Sequence, residues 1–253
     1  MSVNFYDKVA KKFGGYGYGN ENKPKYISEY KMGEPEKVFK EKLLGLSSKN
    51  KIALDIGCAD GKFTLSIAPF FQKVYGIDIS KVNLDIAKSH SGDERSKNIK
   101  YFFQNASHTL FKDSFFDLAY CRRGPSVYPE IYRVIKTLGH FVEIKIGEKD
   151  CQEIKEIFGR GQDFGKWNTS RLIKDTNFMK DLGFEIIFAK DYFYTEHYLT
   201  YTDLDLFLQG VPIFEDFDSE KDKKYLNDYV SKFKTNKGIK LPRHRIVITA
   251  KKI

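Results

Sequence analysis

A chain of 253 residues is long enough for one sizeable hydrophobic core, and no Pro/Gly/Ser-rich linker divides it. No apolar run approaches the length that spans a bilayer and the first eight residues lack the apolar centre of a signal peptide, so a cytoplasmic protein without membrane segments is expected. The 43 Lys and Arg outnumber the 34 Asp and Glu, but over most of the chain the lysines are scattered among acids, as on a solvated surface. Cys58, Cys121 and Cys151 match no zinc or disulfide spacing, so reduced thiols and no metal centre are expected.

In chain order, residues 5–13 place apolar side chains at helical spacing and lead into Gly14-Gly15-Tyr16-Gly17-Tyr18-Gly19, where glycine prevents regular structure. A helix follows from Glu34-Pro35 through Val38, Phe39, Leu43 and Leu44, with proline where its missing N–H costs nothing. The apolar run 52–56 is then cut by Gly57 and Gly61 and resumes with helical spacing at Phe63, Ile67 and Phe70, which predicts strand, tight turn and helix. Residues 74–78 predict a second strand ending in Asp78, and Ser80 caps a helix that ends at Ser91-Gly92-Asp93. Strands are predicted at 99–103, 115–121 and 141–147, with a helix at 128–136 and a turn at Thr137-Leu138-Gly139-His140 between the last two. Further helices surround Ile154, Ile157 and Phe158 and span 170–182, the latter ended by Gly183. Strands at 184–192 and 245–250 close the chain. Between them lies an aromatic-rich insertion, about 195–241, with helical patterns at 201–208 and 225–233.

The first turn carries the chemistry. Gly57 and Gly61, with small Cys58 and Ala59 between them, let the backbone fold tightly and a ligand approach it. Free N–H groups of the following helix would favour a carboxylate or phosphate. Asp78 ends the next strand about twenty residues on, the position from which doubly wound folds bind a ribose diol. The dinucleotide fingerprint G-x-G-x-x-G would put its last glycine at Lys62, whereas here it is Gly61, with Asp55 ahead of the turn.

Asp55-Ile56-Gly57-Cys58-Ala59-Asp60-Gly61 resembles the first motif, roughly D-x-G-x-G-x-G, of the class I S-adenosylmethionine-dependent methyltransferases, with Ala59 at the middle glycine. Residues 115–121 are similar to the family's F-D-x-V-x-S-like strand. The resemblance, which extends to the ubiquinone/menaquinone-type methyltransferases, covers about residues 51–190 and the last strand. It implies an α/β fold: a doubly wound, mostly parallel, seven-stranded Rossmann-like sheet. An N-terminal helical lid (residues 1–50) would precede the methyltransferase domain (51–253), and the helical insertion would come before the last strand. It also implies S-adenosylmethionine as cofactor and S-adenosylhomocysteine as product. The methionine part would lie at Asp55, Gly57, Cys58, Ala59 and Gly61, the ribose at Asp78 and Ile79, and the adenine at Asn105, Ala106 and Ser107. Asn105 stands where the family usually has an acid. Cys121 and Arg122 would border the methyl group, and Tyr16, Tyr18, Tyr26 and Tyr30 are the candidate lid contacts.

Methyl transfer needs alignment and exclusion of water rather than a covalent nucleophile. His108 is the best-placed general base, with an exposed loop histidine as the plain alternative. Two adjacent arginines, Arg122 and Arg123, are expensive to desolvate alone, so they meet a substrate or cofactor anion or else pair internally with an acid such as Asp60 or Asp55. No N-P-P-[YF] follows the fourth strand and no cysteine pair of the uracil-C5 type is present, which disfavours modification of base amino groups or pyrimidine carbons. A small-molecule acceptor is the leading expectation. Alternatives are an RNA-modifying enzyme using the basic stretch 221–252, and a non-catalytic protein that binds the cofactor.

Overall fold

The computed structural model describes residues 3–15 and 23–253; Tyr16 and Tyr18, two of the expected lid contacts, lie outside them. Along the chain the elements are α1 (Val3–Phe13), β1 (Tyr26–Tyr30), α2 (Pro35–Gly45), β2 (Ile52–Ile56), α3 (Lys62–Ile67), β3 (Lys73–Asp78) and α4 (Lys81–Ser89). They continue with β4 (Ile99–Phe103), β5 (Phe116–Arg122), α5 (Tyr128–Val134), β6 (Ile135–Ile146), α6 (Gln152–Phe158), α7 (Arg171–Asp181) and β7 (Phe184–Tyr198). Last come α8 (Tyr201–Gly210), α9 (Lys223–Phe233), β8 (Lys234–Thr235) and β9 (Gly238–Lys252). Local chemistry accounts for several boundaries. The Ser80 hydroxyl accepts the Asn83 N–H at 3.2 Å at the start of α4, and Gly183, with φ of 99°, ends the turn after α7.

The chain clusters into two compact units. One comprises Glu34–Ile146, Arg171–Asp191 and Ile246–Ile253 and holds the glycine turn. Its sheet runs β7-β9-β6-β5-β2-β3-β4, with β5–β6, β2–β5, β2–β3 and β3–β4 parallel. This is the Rossmann-like arrangement expected of class I methyltransferases. The chain steps from β2 outward to β3 and β4 and then returns to β5 on the other side of β2, so strand order reverses between β2 and β5. Ligands bind at such a switch point, beyond the carboxyl ends of the strands. The core is apolar and continuous, with Leu54, Ile56, Phe116, Phe141, Met179, Phe184 and Ile248 all buried.

The other unit comprises the residues up to Gly33, Gly147–Ser170 and Tyr192–Arg245. Phe5, Val9 and Phe13 of α1 pack with Leu206 of α8, while α6, α8 and α9 share a core of Phe158, Leu204, Phe214, Leu226 and Tyr229. β1 and β8 are two strands beyond the seven expected.

Three expectations change. Residues 137–140 are not a turn ahead of a strand: β6 already pairs with β5 at Phe116↔Ile135, then shifts register to Leu118↔His140, and Leu138 adopts φ of 64° within the irregularity. Residues 195–198, placed in the insertion, instead continue β7 and pair antiparallel with β1, so Tyr26 and Tyr30 are strand residues opposite Tyr198 and Tyr194. β9 likewise begins at Gly238, where the insertion was expected to continue.

The second unit also buries a charge network. Arg243 Nε lies 3.0 Å from Asp150 Oδ1 and Arg245 lies 2.6 Å from the same oxygen. Arg243 also pairs with Glu196, which accepts the Tyr198 hydroxyl at 2.9 Å. Burial pushes the Asp150 carboxyl up, but the Arg243 and Arg245 charges reverse this and hold it well below the usual carboxylate range. Arg243→Met is expected to leave Glu196 buried without its cation and to lower stability by about 3–5 kcal/mol. Urea unfolding measures this, and a midpoint unchanged from the parent would refute it.

Candidate active site

Buried β2 delivers the chain to a turn in which Gly57, Ala59 and Gly61 have φ of 74°, 46° and 73°. Ala59 therefore takes a left-handed conformation that costs a non-glycine residue about 1–2 kcal/mol. Its N–H is fixed by a charged partner, donating to Asp78 Oδ2 at 2.9 Å. Neighbouring N–H groups are also consumed: Gly57 and Cys58 donate to the Ile77 carbonyl at 2.9 and 3.0 Å, Gly61 to the Cys58 carbonyl at 3.0 Å, and Lys62 to Asp60 Oδ1 at 3.3 Å. The free N–H cradle expected from the sequence is thus largely spent on holding the turn to the end of β3. Such a turn is poorly suited to a pyrophosphate. Gly61 makes room within the protein, since a Cβ there would stand 2.5 Å from the Tyr101 hydroxyl and 2.9 Å from Ala87 Cβ. At Gly57 a Cβ would meet only Gly124 Cα and Pro125 Cδ, both at 3.8 Å.

Asp78 is half-buried and also accepts the Ser80 N–H, through Oδ1 at 2.8 Å. A carboxylate accepts hydrogen bonds only, the acceptor type that a vicinal diol needs. Asp55 is different: it is buried, and its Oδ2 accepts the Thr64 hydroxyl at 2.7 Å. Burial pushes its carboxyl up to about 6, against that hydrogen bond. Cys58 and Cys121 are buried and burial raises both thiols, so they behave as small apolar groups.

Along the rim, Ile79, Asn105, Ser107 and His108 are exposed and Ala106 is buried. Asn105 Oδ1 accepts the Ser107 N–H at 2.9 Å, which orients its amide. Phe103, the register partner of Asp78 on β4, is also exposed, an aromatic face that periodicity alone assigned to the strand. At the end of β5, Arg122 Nε lies 2.8 Å and Arg123 Nε 3.5 Å from the Glu36 carboxylate of α2. The internal acid facing these arginines is thus Glu36 rather than Asp55 or Asp60.

Among known families, a model covers residues 53–139. This segment matches as a methyltransferase domain. Over 135 residues the chain is 28% identical to the uncharacterized methyltransferase YcgJ of Bacillus subtilis, covering 48% of this chain and 53% of that protein. Over 120 residues it is 27% identical to demethylmenaquinone methyltransferase of a Geobacillus species, covering 44% and 51%. The chain thus spans about half the length of these curated relatives. The solved structure of Bacillus YcgJ superposes with a TM-score of 0.64 over 86% of this chain and 98% of that one, at 16% identity, a likeness of fold.

The residues at this switch point suit a cofactor with a ribose and no phosphate. The Asp78 carboxylate can receive a diol, and the exposed amide, hydroxyl and apolar side chains of Asn105, Ser107 and Ile79 suit a base edge and face. Sequence reasoning missed a buried polar cluster at the carboxyl end of β6, Glu143 and Lys145 with Tyr128 and Asp175. Its signal was present: two charged residues inside an otherwise apolar strand, residues 141–147. Among the described residues no group of three His, Cys, Asp or Glu side chains is arranged to hold a metal, and no helix is long and apolar enough to cross a membrane.

The raised Asp55 carboxyl makes a pH prediction. A buried acid that favours its neutral form contributes stability below the unfolded-state pKa of about 4 and loses it as pH rises through about 6. In Asp55→Asn that dependence disappears, so the stability of the parent relative to the variant should fall by roughly 3 kcal/mol between those pH values. Chemical denaturation across this range measures it, and a constant difference would overturn the assignment.

Proposed function

We propose that this protein transfers a methyl group from S-adenosylmethionine to a small-molecule acceptor. The observation that carries the reading is the half-buried Asp78 carboxylate at the switch point, at the end of β3 and bonded to the turn through Ala59. The matched methyltransferase domain supports it, as does a turn whose N–H groups are too occupied to cradle a pyrophosphate. When bound, the cofactor supplies a methyl group already activated on a sulfonium.

The chain's own residues then have binding and positioning roles. Asp78 orders the ribose, with Ile79 beside it, and Asn105, Ala106 and Ser107 border the adenine. The turn from Asp55 through Gly57, Cys58, Ala59 and Gly61 faces the methionine part, Asp55 stiffening it through Thr64 rather than reaching the ligand. Arg122 and Arg123, held by Glu36, and Cys121 form the wall where the acceptor enters. His108 is at the exposed rim.

Calorimetry with S-adenosylhomocysteine and with NAD tests the reading, and only the former is expected to bind. Asp78→Ala should weaken S-adenosylhomocysteine binding by about 1–3 kcal/mol, because ribose hydroxyls lose a charged acceptor. A folded variant with unchanged affinity would refute the ribose assignment, and preferential binding of NAD would refute the cofactor.

A further inference from the structure

β6 carries a set of buried polar groups that cofactor binding does not use. Glu143 and Lys145, two residues apart and so on one face of the strand, are both buried. Lys145 Nζ donates to the Tyr128 hydroxyl at 2.8 Å and to Ser126 Oγ at 2.6 Å, and pairs with Asp175 of α7. The Tyr128 hydroxyl donates to Glu143 Oε1 at 2.7 Å. The four groups form an unbroken chain of hydrogen bonds, Ser126 to Lys145 to Tyr128 to Glu143, and Ser126 is its one exposed member. This exposed end lies beside the cofactor turn. Ser126 follows Pro125 and comes two residues after Gly124, where an added Cβ would sit 3.1 Å from the Ile56 carbonyl; a Cβ on Gly57 would lie 3.8 Å from both Gly124 Cα and Pro125 Cδ. The buried end adjoins β5, Glu143 being the register partner of Cys121.

We propose that Ser126, Lys145, Tyr128 and Glu143 form a proton relay that takes the proton from a hydroxyl acceptor as it is methylated, with Glu143 as the final proton holder. The proposal rests on the methyltransferase reading above and adds the substrate class. Transfer to a hydroxyl forms the oxygen–carbon bond, breaks the sulfur–carbon bond with its electron pair remaining on sulfur, and frees one proton. Glu143 takes the Tyr128 proton as Tyr128 takes one from Lys145 Nζ, and the lone pair so freed on Lys145 takes the Ser126 proton as Ser126 Oγ takes that of the acceptor. Glu143 gains a proton, the acceptor loses one, and the three intermediate groups end as they began. Reversal toward solvent after product leaves resets the chain.

The surroundings suit this direction. Glu143 faces Tyr128 from α5, Lys145 on its own strand and Cys121 on β5, with Asp175 and Arg171 contributed by α7. Burial, outweighing Lys145 and the Tyr128 hydrogen bond, raises the Glu143 carboxyl above its usual range, so it holds a proton more readily than an exposed carboxylate. Asp175 of α7 pairs with Lys145 Nζ. A relay of this kind serves alcohols and phenols, which must lose a proton to attack, whereas thiols ionise readily, carboxylates arrive ionised and neutral amines attack with a free lone pair.

4-Nitrophenol, whose anion absorbs visible light, is the probe, added to the full-length protein loaded with S-adenosylhomocysteine at a pH below the phenol's own pKa. The bound phenol is expected to absorb as phenolate while a protonated-carboxyl infrared band appears. In Glu143→Gln and in Ser126→Ala the bound phenolate fraction should fall about tenfold, equivalent to one pKa unit. Ser126 is exposed, so its variant tests the relay even if the Glu143 variant folds poorly. Neutral bound phenol in the parent, phenolate persisting in either folded variant, or no phenol binding beside bound S-adenosylhomocysteine would overturn the relay and leave the methyltransferase reading standing. Failure of S-adenosylhomocysteine itself to bind would remove both.

Discussion

Asp78 binds two stretches of backbone at once, the Ala59 N–H in the glycine turn and the Ser80 N–H at the start of α4. Hydrogen bonds to an ionised group contribute about 1.5–3 kcal/mol each, enough to offset the left-handed backbone of Ala59. The ends of β2 and β3 therefore become one structure, held by a single carboxylate at the switch point. Preorganisation follows: the ligand finds a turn already tied down, rather than a loop that must be ordered on binding. The same bonds set the chemistry. A turn that spends its N–H groups on Ile77, Cys58, Asp60 and Asp78 has little left for phosphate, and α3, only six residues long, adds little dipole.

Much of the glycine-turn unit was legible because its signals are local. Apolar runs cut by glycine, Ser80 at a helix start and Gly183 at a helix end each depend on a few neighbouring residues, and β2, β3, β4, α4 and α7 lie within a residue or two of expectation at nearly every end. Failures occurred where pairing across the chain decides. Tyr26 to Tyr30 has no strong strand pattern of its own and becomes a strand because residues 194–198 lie opposite it. Thr137-Leu138-Gly139 reads as a turn, yet the strand passes through it because β5 pairs on both sides of the irregularity.

The candidate site divided along the same line. Asp78 was readable from its distance to the turn, since both stand at ends of adjacent parallel strands. Gly61 was readable as a glycine but not as one that clears space for Tyr101, which comes from β4. Arg122 and Arg123 announced a missing anion, but Glu36, far away in sequence, could not be chosen over nearer acids. Glu143 and Lys145 were visible as charges in an apolar strand, but only the fold sets Tyr128, Ser126 and Asp175 around them.

The family match begins after Glu36 and ends before Glu143 and Lys145. Within it lie the turn, Asp78 and the rim at Asn105 to Ser107, the groups assigned to the cofactor under the proposed function. Outside it lie the carboxylate that holds the two arginines and the two charged residues of β6. A cofactor common to many enzymes can be met by one shared turn, whereas an acceptor must be met by groups that differ with its chemistry. The buried ionic groups argue the same way. A core serving only to hold β6 against α5 and α7 would be at least as stable with apolar side chains of the same size, so stability alone does not account for Glu143, Lys145 and Asp175. Glu143 and Lys145 sit on the strand paired with Cys121 and Arg122, Asp175 reaches Lys145 from α7, and the exposed Ser126 comes two residues after Gly124, which lies against the Ile56 carbonyl.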